Sequence, residues 1–372
     1  MLDRLITFLR DEAVLCIAFA LAVVSVALTG DVSAIPSAID WRVIALLFCL
    51  MAAVAGLSAS GVLVRFAQLL VTGEKSKRIV CLGLVMLPFF ASMLITNDVA
   101  LLTFVPIAVL ALEAAGWRDL LARVVVLQAI AANLGGMVTP FGNPQNLFIF
   151  TSYDLSTADF FGALAPFGAL ALALLVAACL SFGAERSRVS LHVDKDAIDF
   201  RRFALHAALF ALSVLAVLHV IPHEALLATV VAVLFLFDRG IFAKVDYALL
   251  ATFVCFFIFS GNVSHMPAMQ DFLGSLMADH PMLTSLAASQ VVSNVPAAVL
   301  LAGFTQNWHS LLIGVDLGGL GTPIASLASL IALRLYAHTE NARIGLFLRE
   351  FALANIAALA CMVALYAVLY VL

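Results

Sequence analysis

The chain has 372 residues, of which 64% are apolar and 11% charged, with a formal net charge of −4 and a mean hydropathy of +1.13. A soluble domain is about 45–50% apolar and about 25% charged and cannot hide this much apolar surface, so soluble and disordered classes are excluded. The charge balance leaves no basic face for a nucleic acid, and Cys16, Cys49, Cys81, Cys179, Cys255 and Cys361 sit in apolar runs with no C-x-x-C pair, which argues against a disulfide or zinc framework.

A membrane-spanning helix needs about 20 mostly apolar residues. In chain order such runs lie near 12–29, 41–58, 120–150, 160–183, 204–221, 225–238, 246–263, 309–335 and 350–371. Two more apolar regions, 78–115 and 281–306, carry polar residues at their centres and suit re-entrant hairpins. Polar, non-helical backbone at membrane depth must be buried in protein or line a cavity. The pattern predicts an all-α polytopic membrane protein with about nine full spans. Arg4 and Arg10 precede the first run, and Val32-Ser33-Ala34 resembles a signal cleavage site. The repeat described next needs that first helix, so it is read as retained.

Lys and Arg gather on one side, and only Arg42 lies close to a loop of the other. Lys75, Lys77, Arg78, Arg118 and Arg123 flank the first hairpin, and Arg186, Arg188, Lys195, Arg201 and Arg202 fill the longest polar loop. The alternate loops 30–40, 151–159, 222–224 and 264–280 have neither residue. The positive-inside rule places the N-terminus in the cytoplasm and, with nine spans, the C-terminus outside a cytoplasmic membrane.

The two halves repeat in opposite orientation. Asp40-Trp41-Arg42 and Asp246-Tyr247-Ala248 each begin a span. Thr96-Asn97-Asp98-Val99-Ala100 and Ser293-Asn294-Val295-Pro296-Ala297 interrupt the two hairpins. Asn133-Leu134-Gly135-Gly136-Met137-Val138-Thr139-Pro140 and Asp316-Leu317-Gly318-Gly319-Leu320-Gly321-Thr322-Pro323 interrupt two long spans. The predicted organisation is a first inverted repeat over 1–203, a linking helix at 204–221, and a second repeat over 222–372. Polar, broken elements meeting near the midplane are how secondary transporters build their sites. At each break glycine lets the backbone bend, and proline removes an amide donor, leaving carbonyls without helical partners and free for a cation. The amides of Asn97, Asn143, Asn146 and Asn294 both donate and accept.

These motifs resemble a known superfamily. Asn97-Asp98-Val99-Ala100-Leu101-Leu102-Thr103-Phe104-Val105-Pro106 is similar to the first hairpin of ArsB-type arsenite permeases, and the stretch from Gly314 to Ala328 to their second broken helix. Gly135 to Asn146 resembles the broken helix of divalent-anion/sodium symporters. The chain is thereby identified as a member of the ion transporter superfamily, close to ArsB-type and citrate (CitMHS-like) permeases. The resemblance covers roughly 40–372 and implies a scaffold and a mobile transport domain, often in a homodimer. It departs from dicarboxylate symporters, which carry Ser-Asn-Thr at both tips. Here Asp98 would repel a carboxylate, and Val295 lacks the hydroxyl.

The expected function is an ion-coupled secondary transporter, not an enzyme, that moves a small anion, oxyanion or polar inorganic solute through the lipid bilayer. Its coupling ion is H⁺ or Na⁺, and no cofactor is expected. Candidate site residues are Thr96, Asn97, Asp98, Gly136, Thr139, Gly142, Asn143, Asn146, Ser293, Asn294, Asp316, Gly319, Thr322 and Ser326. A sodium ion would sit near Asn97, Asp98, Thr139 and Asn294. Intramembrane acids are functional by default because a buried charge is costly; the plainer reading makes Asp98 and Asp316 helix N-caps. A sodium/proton antiporter is the alternative within the superfamily, and a passive channel the alternative outside it. His219, His223 and His265 read as loop residues.

Overall fold

The computed structural model of the chain describes residues 12–29, 35–189 and 198–372. Arg4, Arg10, Lys195 and Val32-Ser33-Ala34 lie outside the described residues. The first series of helices begins with α1 (Ala13–Thr29) and α2 (Trp41–Ala59). A short α3 (Val62–Val71) leads to the first hairpin, α4 (Lys77–Ala91) and α5 (Asn97–Ala114). The first broken element consists of α6 (Leu121–Gly136) and α7 (Pro144–Ser152), followed by α8 (Thr157–Leu180). α9 (Phe200–Val217) and α10 (His223–Phe237) lead into the second series.

That series has the same order. α11 (Tyr247–Val263) and a short α12 (Pro267–Asp279) precede the second hairpin, α13 (Pro281–Val292) and α14 (Asn294–Ala302). The second broken element is α15 (Trp308–Leu317) and α16 (Leu327–Ala337), and α17 (Ile344–Tyr370) ends the chain. The matched starts have a common cause. Asp40 accepts from the Val43 amide (3.0 Å) and Asp246 from the Leu249 amide (2.9 Å), each capping the helix that follows.

The protein is therefore all-α and polytopic. Among the described residues six helices reach spanning length and apolarity: α2, α5, α8, α9, α17 and the stretch Arg118–Gly136. The α11–α12 pair, bent by 103°, would be a seventh. The expected nine also counts the shorter α1 and α10 and takes each broken pair as one crossing. Residues 78–115 do fold as a helical hairpin turning at 92–96, but α5 alone is long enough to cross.

The sequence reading did not anticipate α3, α12 or a two-stranded ribbon. β1 (Gly73–Ser76) pairs antiparallel with β2 (Arg186–Val189), setting Glu74 opposite Arg188. The Lys77 ammonium meets Glu185 at 2.7 Å beside it, tying the start of the first hairpin to the end of α8.

α1 packs along α11, and α9 and α10 pack on α2. The half-helices that restart after the breaks are seated reciprocally. α7 rests on α14 and α15, while α16 rests on α5 and α6. This crossing brings both tips and both breaks together.

Candidate substrate and ion site

At the first tip the chain leaves Thr96 in extended backbone and starts α5 at Asn97. The Asn97 side-chain oxygen accepts from the Asp98 amide (2.9 Å), and its Nδ2 donates to Asn133 Oδ1 on α6 (3.0 Å). Asp98 lies in the first turn of α5, where free helix amides favour a carboxylate. At the second tip Ser293 takes φ +72° and ψ 154°, a region open in practice only to glycine and costing about 1–3 kcal/mol. Asn294 then starts α14. A Cβ on Gly319 would come within 3.0 Å of its Nδ2, so the bare glycine lets the amide lie against the second break.

The breaks leave carbonyls without helical partners, and side-chain amides take them. Asn146 Nδ2 donates to the carbonyls of Gly136 (3.4 Å), Met137 (3.0 Å) and Thr139 (3.2 Å). Gln290 Nε2 donates to those of Gly318 (2.8 Å) and Leu320 (2.9 Å), and its oxygen accepts from the Thr322 amide (2.9 Å). Asn133 Nδ2 reaches the Gly319 carbonyl (3.4 Å). These six break carbonyls, expected to be free for a cation, are thus each held by an amide, as burial away from water requires. With its amide turned to suit its neighbours, Asn143 donates to the Gly142 carbonyl (2.9 Å) and accepts from the Met137 amide (3.2 Å). Gly142 and Gly136 approach so closely that a Cβ on Gly142 would collide with the Gly136 oxygen.

Asp316 is buried in the last turn of α15. It sits at a helix C-terminal end, so the N-cap reading of this residue is corrected. Gln145 Nε2 donates to its Oδ1 (3.0 Å), Asn143 and Asn146 lie beside it, and its Oδ2 has no hydrogen-bond partner.

A cavity of about 110 Å³ lies where the elements converge. Asn97, Asp98, Ser293 and Asn294 enter from the tips, and Pro144, Gln145, Ser326 and Leu327 from the restarting half-helices. Thr252, Asp246 and Glu12 complete one side. The ionisable groups on its wall are Asp98, Asp246 and Glu12, and no Lys, Arg or His lines it among the described residues. Ser326 donates to Asn133 Oδ1 (2.7 Å) and accepts from the Ala328 amide (3.2 Å).

The remaining candidates stand off the cavity. Gly136, Gly142, Asn143, Asn146, Asp316 and Gly319 belong to the network around the two breaks. Thr139 donates to the Met93 carbonyl (2.7 Å) and Thr322 to that of Gln290 (3.3 Å), so both brace hairpins. Among the described residues no group of three or more His, Cys, Asp or Glu is placed to hold a metal. Sequence reasoning missed Asn133, Gln145, Gln290, Thr252 and the cavity role of Asp246. Asn133 had a signal, since it occupies the motif position that Asp316 holds in the second series.

The sequence profile of the citrate transporter family, CitMHS, matches residues 5–311. The chain is 34% identical over 280 residues to an uncharacterised transporter of Methanocaldococcus jannaschii, covering 74% of this chain and 75% of that protein. It is 31% identical over 305 residues to the inner membrane protein YbiR of Escherichia coli, covering 81% of each. A silicon efflux transporter of rice is 33% identical over 134 residues, 35% of this chain and 26% of that protein.

Proposed function

Because the chain belongs to the citrate transporter family CitMHS, we propose that this multi-pass transporter uses a proton gradient to move a small, hydroxylated polar solute across the cytoplasmic membrane. The cavity carries this reading. Among the described residues three carboxyl groups and no basic side chain face it. A free anion placed there would meet like charge in a low-dielectric setting, a cost of several kcal/mol at close range. An uncharged hydroxylated solute meets no such penalty and finds amides and hydroxyls that both donate and accept. The volume, about 110 Å³, suits a solute of few atoms, well below the roughly 300–1,000 Å³ of drug-sized sites. The name of the rice relative, a silicon efflux transporter, agrees with a small inorganic solute.

A proton is favoured over sodium because the oxygens a sodium cage would use are already engaged. The Asn97 and Asn133 side-chain oxygens and the break carbonyls all accept hydrogen bonds. Asp98 is the carboxyl at the tip where the cavity ends, and it carries the coupling proton. Alternating access would come from one series rocking against the other around the cavity, the two lying in fixed, opposite orientations with the N-terminus in the cytoplasm.

One second reading is favoured by the family name. Citrate would enter this cavity only with its charge balanced by a bound cation. A panel of silicic acid, arsenite, and citrate with and without magnesium, tested in proteoliposomes under imposed pH or sodium gradients, separates the readings. Neutral-acid accumulation driven by pH alone is the expected result. Sodium-driven accumulation, or uptake of metal-free citrate, would overturn it. Asp98→Asn keeps the shape and cannot titrate, so it should lose gradient-driven accumulation while retaining slow exchange. Wild-type accumulation in that variant would remove Asp98 as the proton carrier.

A further inference from the structure

A second, larger cavity lies apart from the site, on the outer flank formed by α6, α8 and α17. It is a groove of about 480 Å³ with apolar walls and two charged residues, Arg123 and Glu350. We propose that it binds one phospholipid with an amine-bearing zwitterionic headgroup of the phosphatidylethanolamine kind. The phosphate sits on Arg123, the ammonium on Glu350, and one acyl chain runs along the groove.

Three observations carry this. The first is length. Along α6 the groove runs from Arg123 to Leu134, and along α17 from Glu350 to Cys361. Each stretch is twelve residues, eleven steps, or roughly 16 Å at about 1.5 Å per step. That is about half of a hydrocarbon core of roughly 30 Å, the depth of one leaflet. Arg123 and Glu350 each begin their stretch, and the distribution of Lys and Arg starts both helices on the cytoplasmic side, where a headgroup of that leaflet would be.

The second is shape. α17 presents Ala354, Ala357 and Ala358 to the groove, which leaves room for a chain between helices. This helix is 27 residues long, yet only 11% of its apolar window is buried inside the protein. Most of its length is therefore left uncovered by the rest of the chain.

The third is charge complementarity. The Arg123 guanidinium lies over the Phe182 ring at 5.0 Å and donates to Ser181 Oγ at 3.1 Å, which fixes its position. Arginine has five N–H donors, so others remain for phosphate oxygens. Glu350 stands on the facing helix and, when ionised, only accepts. An ammonium headgroup satisfies it with N–H donors. A choline headgroup has none, and a headgroup with net negative charge would face the carboxylate without compensation.

The site would also touch function. Leu134, at the deep end, precedes Gly135-Gly136, the last residues of α6. An acyl chain packed there supports the half-helix that carries Asn133.

The test is native mass spectrometry of the detergent-purified full chain with added phosphatidylethanolamine, phosphatidylcholine or phosphatidylglycerol. Wild type should retain one phosphatidylethanolamine at least about tenfold better than the other two. Arg123→Gln and Glu350→Gln should each erase that preference. Glu350→Lys should reverse it toward phosphatidylglycerol, a gain that a misfolded variant cannot produce. Ala357→Trp fills the groove and should remove bound lipid of every class. Equal retention of the three lipids by wild type, or an unchanged preference in Glu350→Gln, would overturn the proposal. So would a dimer that Ala357→Trp dissociates, because the groove would then hold a second copy.

Discussion

Asn133 ties the two series together through one side chain. Its oxygen accepts from Asn97 and Ser326, and its nitrogen reaches the Gly319 carbonyl. Asn133→Ala leaves these groups without partners where water does not easily enter, each costing about 1–3 kcal/mol. Transport should be lost and the thermal unfolding midpoint should fall, whereas Thr139→Ala should cost little transport because its hydroxyl faces the Met93 carbonyl. Ser293 allows an opposite test. Ser293→Gly relieves backbone strain of about 1–3 kcal/mol and gives back about 0.5–1 kcal/mol in chain entropy. It should melt at or above the wild-type temperature while transport declines through the lost hydroxyl; a lower midpoint would show that Ser293 is not strained. At this scale the tips were legible because Asn97 and Asn294 interrupt apolar runs. Asn133 was passed over beside Asp316, its counterpart, since an acid in an apolar segment draws attention that an amide does not. Gln290 has no motif at all. Its role exists only because folding lays α13 against the second break.

The broken elements work because amides close them. Gln290 serves the second break and Asn146 the first, each from outside the helix it completes. Gln290→Leu frees the Gly318 and Leu320 carbonyls and the Thr322 amide together. Hydrogen exchange should then quicken across 318–326 while the distant α2 stays protected, and substrate affinity should weaken with it. Unchanged exchange in that segment would mean that the break holds itself. The breaks were readable because glycine pairs and prolines leave a local mark that tertiary packing cannot hide. α3 and α12 were not. Ten or thirteen residues beside a longer apolar run do not announce a change of direction, and α12 turns by 103° from α11. The strands were hidden for a different reason. Gly73–Ser76 and Arg186–Val189 are polar and far apart in sequence, so no alternation marks them.

For the whole molecule the charge pattern makes the sharpest claim. In a background without native cysteines, Lys77→Cys and Arg188→Cys should react with an impermeant thiol reagent only from the cytoplasm, and Asn307→Cys only from outside. The basis is the one-sided distribution of Lys and Arg. Labelling of position 77 from outside would undo the inverted arrangement and the proposed direction of the first hairpin. Composition alone settled that the chain lives in a membrane. What it could not supply was the pairing of distant elements, because contacts such as α16 on α5 join residues more than two hundred positions apart.

That reciprocal seating has a consequence for biosynthesis. When the first half leaves the ribosome, α7 is a nine-residue helix that has α2 beside it but still lacks two of its three supports, α14 and α15. Its Gln145, whose partner is Asp316, and the side-chain nitrogen of Asn133, whose partner is the Gly319 carbonyl, face an interior that only later synthesis can complete. The half-made protein must therefore hold α7 in the insertion machinery, or out of the bilayer, until residues near 300 arrive. Two separately translated halves should accumulate in the membrane only when both are made in the same cell.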